Sequence, residues 1–524
     1  MKAGSFARFF FDDLSEYRLA RSLVVRGIGL VYLIAILSWW SQATLLVGPN
    51  GLVPMQDLLS FLRDRFAVTG QNPVFSLPTI FWFTGPSNAA IHILCFVGCI
   101  FSVMVILGFY PGPFLLGAWA AYLSLVNTGD VFMSFQWDVL LLEAGFLTLF
   151  LTPWARRLPW RRPPALTPVN RVGVFLFWVV VAKLIFQSGW VKLAWATGAH
   201  PEWWPDRTAL TFHYMTQPLP TWTAWWMYQL PVWFHKLSIW PMYVVELLFP
   251  FLILFGKKLR LIAALGFTGL MTLILLTGNY TYFNWLTIVI SVALIADRFW
   301  PDRLLGWLRI ERSKATTSVV TKRDQVWVLL VSPLIVLLVL LNVQTIASNF
   351  HQAPIPLLKS DLTPVWLDRL ADKVRPFHLV SGYGLFRTMT TTRPEIILEG
   401  SSDGISWIAY DFKWKVDELD ARPRFVAPHQ PRVAWQWWFA ALEGRFDPRS
   451  RNSRWFQSLL GKLLAGDKSV EALFERNPFP DKPPKYLRAR LYRYEFTSIT
   501  ERKKTGDWWR RVAIGEYLPV VSKR

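Results

Sequence analysis

Two carboxylates lie in a stretch apolar enough to cross a bilayer: Asp138 and Glu143 in "SFQWDVLLLEAGFLTLF", residues 134–150. A charge at mid-membrane costs at least a few kcal/mol, so it turns to a protein interior and finds a partner. Around a helix the two acids diverge by about 140°, whereas Gln136 and Glu143 share a face. The next apolar run supplies cations in "KLIFQSGWVKLAW". There Lys183, Gln187 and Trp190 form one stripe, and Ser188 and Lys192 form another. These positions predict two pairs: Glu143 with Lys183, and Asp138 with Lys192 nearer the outer surface. Glu246 adds a third acid on a later apolar run. Two roles are open to such a set: interhelical pairs that fix packing, or a polar cavity serving binding or proton transfer.

Other chemistry finds no support in the sequence. There is no H-E-x-x-H, phosphate loop or paired-cysteine motif. The seven His are dispersed without metal-ligand spacing. Asp411, Asp417, Glu418 and Asp420 read as a solvated loop, so neither a metal nor another cofactor is expected. Cys95 and Cys99 fall on one face of an apolar run and read as small core residues.

The elements that position the acids follow from composition. Of 524 residues 53% are hydrophobic and only 17% charged, below the quarter typical of soluble domains. Runs long enough to span, about 17–25 residues, occur near 23–46, 89–109, 113–128, 132–152, 171–195, 238–256, 259–278, 283–299 and 326–347. The balance of 56 Lys+Arg against 35 Asp+Glu would suggest nucleic acid in a soluble protein. Here the basic residues collect in alternate connections: Lys2, Arg8, Arg18 and Arg21, then Arg156, Arg157, Arg161 and Arg162. Further on come Lys257, Lys258 and Arg260, and then Arg298 through Arg323. The positive-inside rule then puts residues 1–22 in the cytoplasm and 348–524 outside, in periplasm or lumen, which argues against nucleic acid. Between them, 23–347 is a nine-span all-α bundle with two longer outer-side loops, 47–88 and 196–237. "MQDLLSFLRDRF" in the first reads as an interfacial helix.

From about residue 380 the period changes. "RPEIILEGSSDGISWIAYDFKWKV" reads as strand, turn, strand, with Ser402-Asp403-Gly404 at the turn. "AWQWWFAALEGRF" and "SRWFQSLLGKLLAGDKSVEALFERNPF" read as helices, the second running to Asn477-Pro478. "KYLRARLYRYEFTSI" alternates and puts Arg488, Arg490, Tyr492 and Tyr494 on one face. The fold class is therefore a membrane bundle followed by an α+β, β-sandwich-like extracytoplasmic domain.

Several motifs occur together: "FQWDVLLLEAGFL" (135–147), "ALTFHYMTQPLP" (209–220), "ELLFPF" (246–251), "LTGNYTYFNWLTIV" (276–289), "RPEIILEGSSDG" (393–404), "WFAAL" (438–442), "NPFP" (477–480) and "YLRARLYRYEF" (486–496). In this order the chain resembles the lipase maturation factor family from end to end. The resemblance singles out Gln136, Trp137, His213, Gln217, Pro218, Asn279 and Asn284 as motif residues. It implies a multi-pass membrane protein whose outer domain helps secreted lipases fold or assemble; animal members act in the endoplasmic reticulum without known catalysis. It further implies that clients and membrane lipids are the partners, with client contact around 435–442 and 477–496. Trp435, Trp438, Phe439, Asn477, Pro478, Phe479, Arg488, Arg490, Tyr492 and Tyr494 are the candidates. The chain departs from the pattern at Met215 and Ala434, where acids are expected, and in an outer domain without Cys, which suggests a bacterial member. A fainter likeness, in "SGWVKL", is to vitamin K-dependent γ-carboxylases. It would make the protein a membrane enzyme or a lipid- or quinone-binding protein, with Lys192 as base and Asp138 as its partner.

Overall fold

All nine apolar runs are built mainly of helix. The computed structural model describes residues 16–196, 200–310, 322–351 and 363–523. Lys2, Arg8, Arg312 and Lys314, and most of the segment 1–22, lie outside the described residues. The bundle comprises α1 (Arg18–Trp40), α2 (Asn88–Leu107), α3 (Pro111–Thr128), α4 (Gln136–Thr148) and α5 (Pro168–Ala194). It continues with α6 (Val232–Tyr243, carried on by short helical turns to Phe255), α7 (Lys257–Thr277), α8 (Phe283–Ser291) and α9 (Lys322–His351). Six of these, α1, α2, α5, extended α6, α7 and α9, are long and apolar enough to cross a membrane.

Burial sorts the six. The apolar windows of α1 and α5 are 67% buried, against 17% for α9, so α1 and α5 form the centre. On α2 the exposed residues Ile93, Phe96, Ile100, Val103 and Leu107 recur at helical spacing and form one apolar stripe. The short α4 carries both acids and packs against α1, α3, α5 and α8.

Caps set the ends. Asp297 accepts hydrogen bonds from the backbone N–H of Arg18 and Leu19, a carboxylate at the positive end of α1. Thr167 and Asn170 form a capping box that starts α5. The Asn170 side chain also takes a hydrogen bond from Arg21 at 2.9 Å. Arg26 donates to the Leu158 carbonyl at 2.6 Å, and Arg260 donates to the Tyr17 hydroxyl at 2.6 Å. The described basic connections thus gather at one end of the bundle.

The opposite end carries the tail. Its main sheet has strand order β2-β1-β5-β6, all antiparallel: β1 (Arg393–Ser401), β2 (Ile408–Ala409), β5 (Tyr486–Phe496) and β6 (Trp509–Ser522). A two-stranded sheet joins β3 (Asp411–Phe412) to β4 (Phe474–Arg476). After α10 (Val365–Val374), the tail helices are α11 (Arg432–Leu442) and α12 (Ser453–Ala465). The expected sandwich of two facing sheets is not what covers the main sheet. Trp437 of α11 lies on β1 and donates to the Ile396 carbonyl, while Met215 and Trp225 from the 196–237 loop reach the other face. Three further expectations are corrected. Residues 405–407 are turn rather than strand, pinned by Asp403 accepting from the N–H groups of Ile405 and Ser406. The helix expected to reach Asn477 stops at Ala465, because Gly466 (φ 72°) turns left-handed. Asp417 is buried beside Lys415 rather than solvated.

Gly108 ends α2 at φ 71°, and a Cβ there would stand 2.1 Å from the Leu158 carbonyl oxygen. Both constraints are backbone, so neither relaxes cheaply. Gly108→Ala is expected to lower stability by at least ~1–3 kcal/mol, read as a reduced thermal midpoint of the detergent-purified protein. An unchanged midpoint would contradict the packing described.

Candidate functional site

Where the bundle meets the tail, the acids of the opening stretch find their partners. Asp138, with no exposed surface, sits in the first turn of α4. Its Oδ1 accepts from the hydroxyls of Tyr122 (α3, 2.7 Å) and Tyr282 (2.6 Å, beside α8). The Arg432 guanidinium closes a bidentate pair, Nη1 to Oδ2 at 2.8 Å and Nη2 to Oδ1 at 2.9 Å. Arg432 also donates to the Phe132 carbonyl at 2.5 Å. Asp138 is therefore not paired with Lys192. A cation 294 residues away in sequence, at the first residue of α11, takes its place. Burial works against that cation, but the facing carboxylate outweighs it and holds the Arg432 pKa above its ordinary value.

The residues before Arg432 deepen the joint. Gln430 accepts from Trp137 Nε1 at 2.9 Å and gives its N–H to Ser38 Oγ at 2.9 Å. Trp435 packs edge-on to Trp137 with centroids 4.9 Å apart.

Glu143 is paired with Lys183, Nζ to Oε1 at 2.6 Å, both buried. The tail takes part again, through residues 381–384. Glu143 Oε2 accepts from the Ser381 N–H (3.1 Å) and the Tyr383 hydroxyl (2.5 Å). Gln187 accepts from the Tyr383 N–H at 2.9 Å, and Gln136 from the Gly384 N–H at 3.2 Å. The shared face of Gln136 and Glu143 is thus a slot for the tail backbone. Lys192 instead meets Glu246, both carboxylate oxygens at 2.6 Å, where α6 runs through a π-turn (Val244–Leu248). Gly189 permits the approach, since a Cβ there would be 2.7 Å from Glu246 Cβ. The proposed base and acid partner, Lys192 and Asp138, therefore occupy separate ion pairs.

The remaining motif residues line a third joint. Buried Arg393 donates to the carbonyls of Met215 (2.9 Å), Gln217 (2.5 Å) and Pro218 (3.1 Å) and pairs with Glu395 at 2.7 Å. Gln217 accepts from the Tyr280 hydroxyl at 2.9 Å. Asn279 donates to the carbonyls of Leu219 and Arg424 and accepts from the N–H groups of Val426 and Ala427. Its amide is thus buried and fully used, which leaves no free nitrogen for a glycan. Asn284 donates to the Met271 carbonyl at 3.0 Å, and His213 packs edge-on to Phe386, both as interior residues.

The client candidates separate by exposure. Trp435 and Tyr494 are buried, and the Tyr494 hydroxyl donates to the Asp417 carbonyl at 2.7 Å. Trp438 donates to the Thr216 carbonyl at 2.9 Å. Asn477, Pro478 and Phe479 are half-buried, with Phe479 lying over Gly400. Arg488 pairs with Glu399 at 2.6 Å, and Tyr492 lies under Arg511. Phe439 and Arg490 remain exposed. Sequence reasoning missed Arg432, Arg393, Gln430, Tyr122, Tyr282 and Tyr383. The available signal was an Arg opening an apolar helix in "QPRVAWQWWF".

Two results are expected. Arg432→Ala leaves Asp138 buried and uncompensated, so it should cost ~3–5 kcal/mol, while Asp138→Leu with Arg432→Met should recover most of that loss. Thermal unfolding of the detergent-purified variants measures both, and additive losses would contradict the pairing. Burial, partly opposed by the Asp138 charge, lowers the His378 pKa from 6.5 to about 4. The unfolded chain takes up that proton below about pH 6.5 and the folded one only near 4. Stability should therefore decline as pH falls through this window, by up to ~3 kcal/mol. His378→Asn should flatten the pH dependence of the thermal midpoint, and an unchanged slope would refute the assignment.

Comparison with known proteins follows this division of the chain. A family model described as the lipase maturation factor transmembrane domain matches residues 19–302, and one described as the lipase maturation factor C-terminal domain matches 379–519. Lipase maturation factor 2 of Gallus gallus is 33% identical, covering 96% of this chain and 82% of the relative. Lipase maturation factor 2 of Homo sapiens is 32% identical, covering 96% and 83%. Lipase maturation factor 1 of Homo sapiens is 31% identical, covering 96% and 88%. No solved structure gives a significant match.

Proposed function

Because the chain belongs to the lipase maturation factor family, we propose that it is a membrane-anchored factor assisting the folding or assembly of secreted lipases or related exported enzymes. The observation that carries this reading is that both halves match the family, and relatives named for lipase maturation align across 96% of the chain.

The orientation we propose is cytoplasmic for the N-terminal segment and extracytoplasmic, in periplasm or lumen, for the tail, with all nine helices counted as spans. Two observations support it. The described basic connections meet at one end of the bundle, through the Arg21, Arg26 and Arg260 contacts, and the tail docks at the other. Exposed Trp residues also fall in two groups, Trp154, Trp160 and Trp307 near the basic end, and Trp204, Trp233 and Trp240 near the tail end, as interfacial belts do.

For client contact we favour the exposed part of the motif surface, Phe439 and Arg490, with Asn477–Pro478–Phe479 beside Gly400. Trp435 and Tyr494 serve the interior instead. The rival reading, a membrane enzyme or a lipid- or quinone-binding protein between the fourth and fifth helices, needs Lys192 and Asp138 in one site; Glu246 and Arg432 hold them apart in function.

Co-expression with a secreted dimeric lipase tests the reading in the full-length protein. Phe439→Asp with Arg490→Glu should leave membrane-protein abundance unchanged and reduce secreted lipase activity several-fold. Undiminished lipase activity when the factor is omitted altogether would overturn the proposal.

A further inference from the structure

We propose that the cavity between helix Met55–Thr69, the outer ends of α3 and α4, and the tail binds one membrane glycerophospholipid whose headgroup carries both a phosphate and an amine. The cavity has a volume of about 500 Å³. Leu58, Val126, Phe135 and Val139 supply apolar wall, and Asp130, Gln136, His378 and Arg451 supply the polar groups. Such a lining, mostly apolar with a few placed polar groups, is the usual form of a small-molecule site.

The polar groups keep unused capacity. Arg451, an exposed residue, has no hydrogen-bond or ion-pair partner among the described residues, and no ion pair joins it to Asp130. Asp130 spends one carboxylate oxygen on the Val131 N–H at 2.6 Å, leaving the other. Gln136 spends its oxygen on Gly384 and leaves its amide N–H groups. His378 meets Asn127 through Nε2 and leaves Nδ1. One cation and one carboxylate, held apart on an apolar floor, complement a zwitterion. A phosphate fits Arg451 and the Gln136 amide, and a primary ammonium fits Asp130.

The depth of the site points to a bilayer lipid. Asn127 donates to the Pro78 carbonyl at 2.9 Å, and the Ile80 N–H bonds Ser124 Oγ at 3.1 Å. These bonds fix residues 73–84 beside the cavity wall, where Phe75, Ile80 and Phe83 are exposed. The helix α2, with its exposed apolar stripe, begins four residues beyond Thr84 at Asn88. A client side chain would fit the same volume, but the exposed apolar side chains of the adjoining segment 73–84 favour a lipid. This inference does not depend on the identity of the client.

The test uses full-length protein in nanodiscs of phosphatidylcholine alone or with about one-fifth phosphatidylethanolamine or phosphatidylglycerol, with retained lipid counted by native mass spectrometry. Wild type should retain phosphatidylethanolamine over phosphatidylcholine several-fold. Arg451→Ala should lower phospholipid retention by about tenfold, the loss of one charge-assisted bond. Asp130→Asn should remove the preference for phosphatidylethanolamine over phosphatidylglycerol. Val139→Trp should empty the cavity at an unchanged thermal midpoint, and Leu58→Trp fills it from the opposite wall should the first fail to fold. Equal retention by a folded tryptophan variant and wild type would overturn the proposal. So would absence of any headgroup preference, or loss of client maturation in these variants with lipid retention intact.

Discussion

A carboxylate sealed from water must either give up its charge or be surrounded by donors, and Asp138 has the second arrangement. Two tyrosine hydroxyls reach it from separate parts of the bundle, but neither brings a positive charge. The guanidinium that does comes from the tail, on the first residue of α11. Until the tail docks, Asp138 is an uncompensated buried charge, the state that costs most in a low-dielectric interior. The bundle is thus incomplete without its tail, and the two matched segments form one structural unit.

The second and third joints share this logic. Glu143 and Lys183 neutralise each other within the bundle, yet the Ser381 N–H and the Tyr383 hydroxyl fill the remaining acceptor positions on Glu143. Arg393 and Asn279 satisfy backbone groups left over where helices and turns end, such as the carbonyls of Met215, Gln217, Pro218 and Leu219. Polar side chains of the family motifs therefore serve as fasteners between bundle and tail, and the surface they leave exposed is small. One contiguous apolar core runs through both halves, from Tyr17 to Leu518.

What the sequence made legible follows from how local each signal is. Apolar run length located all nine helices. The Glu143–Lys183 pair was readable because the two partners lie on successive apolar runs, at similar depth. Arg432 was hidden because it stands 294 residues from Asp138, in a segment whose period is that of an ordinary amphipathic helix. The regular alternation of β5 puts Tyr494 on one face with Arg488 and Arg490 and gives no sign that it is buried. The strand in fact serves two cores: Leu487, Ala489 and Leu491 enter one, and Tyr494 and Phe496 enter the other on the opposite face. β6 escaped notice because Gly515 and Pro519 interrupt its pattern and bulges shift its register against β5.

Hydrogen exchange of the full-length protein under increasing denaturant, read by mass spectrometry, tests the fusion of bundle and tail most directly. Peptides covering α4, residues 381–384 and α11 should lose protection together, in a single cooperative step. If α11 and residues 381–384 exchanged fully while α4 stayed protected, the tail would be an independent domain, and the Asp138–Arg432 account would be contradicted.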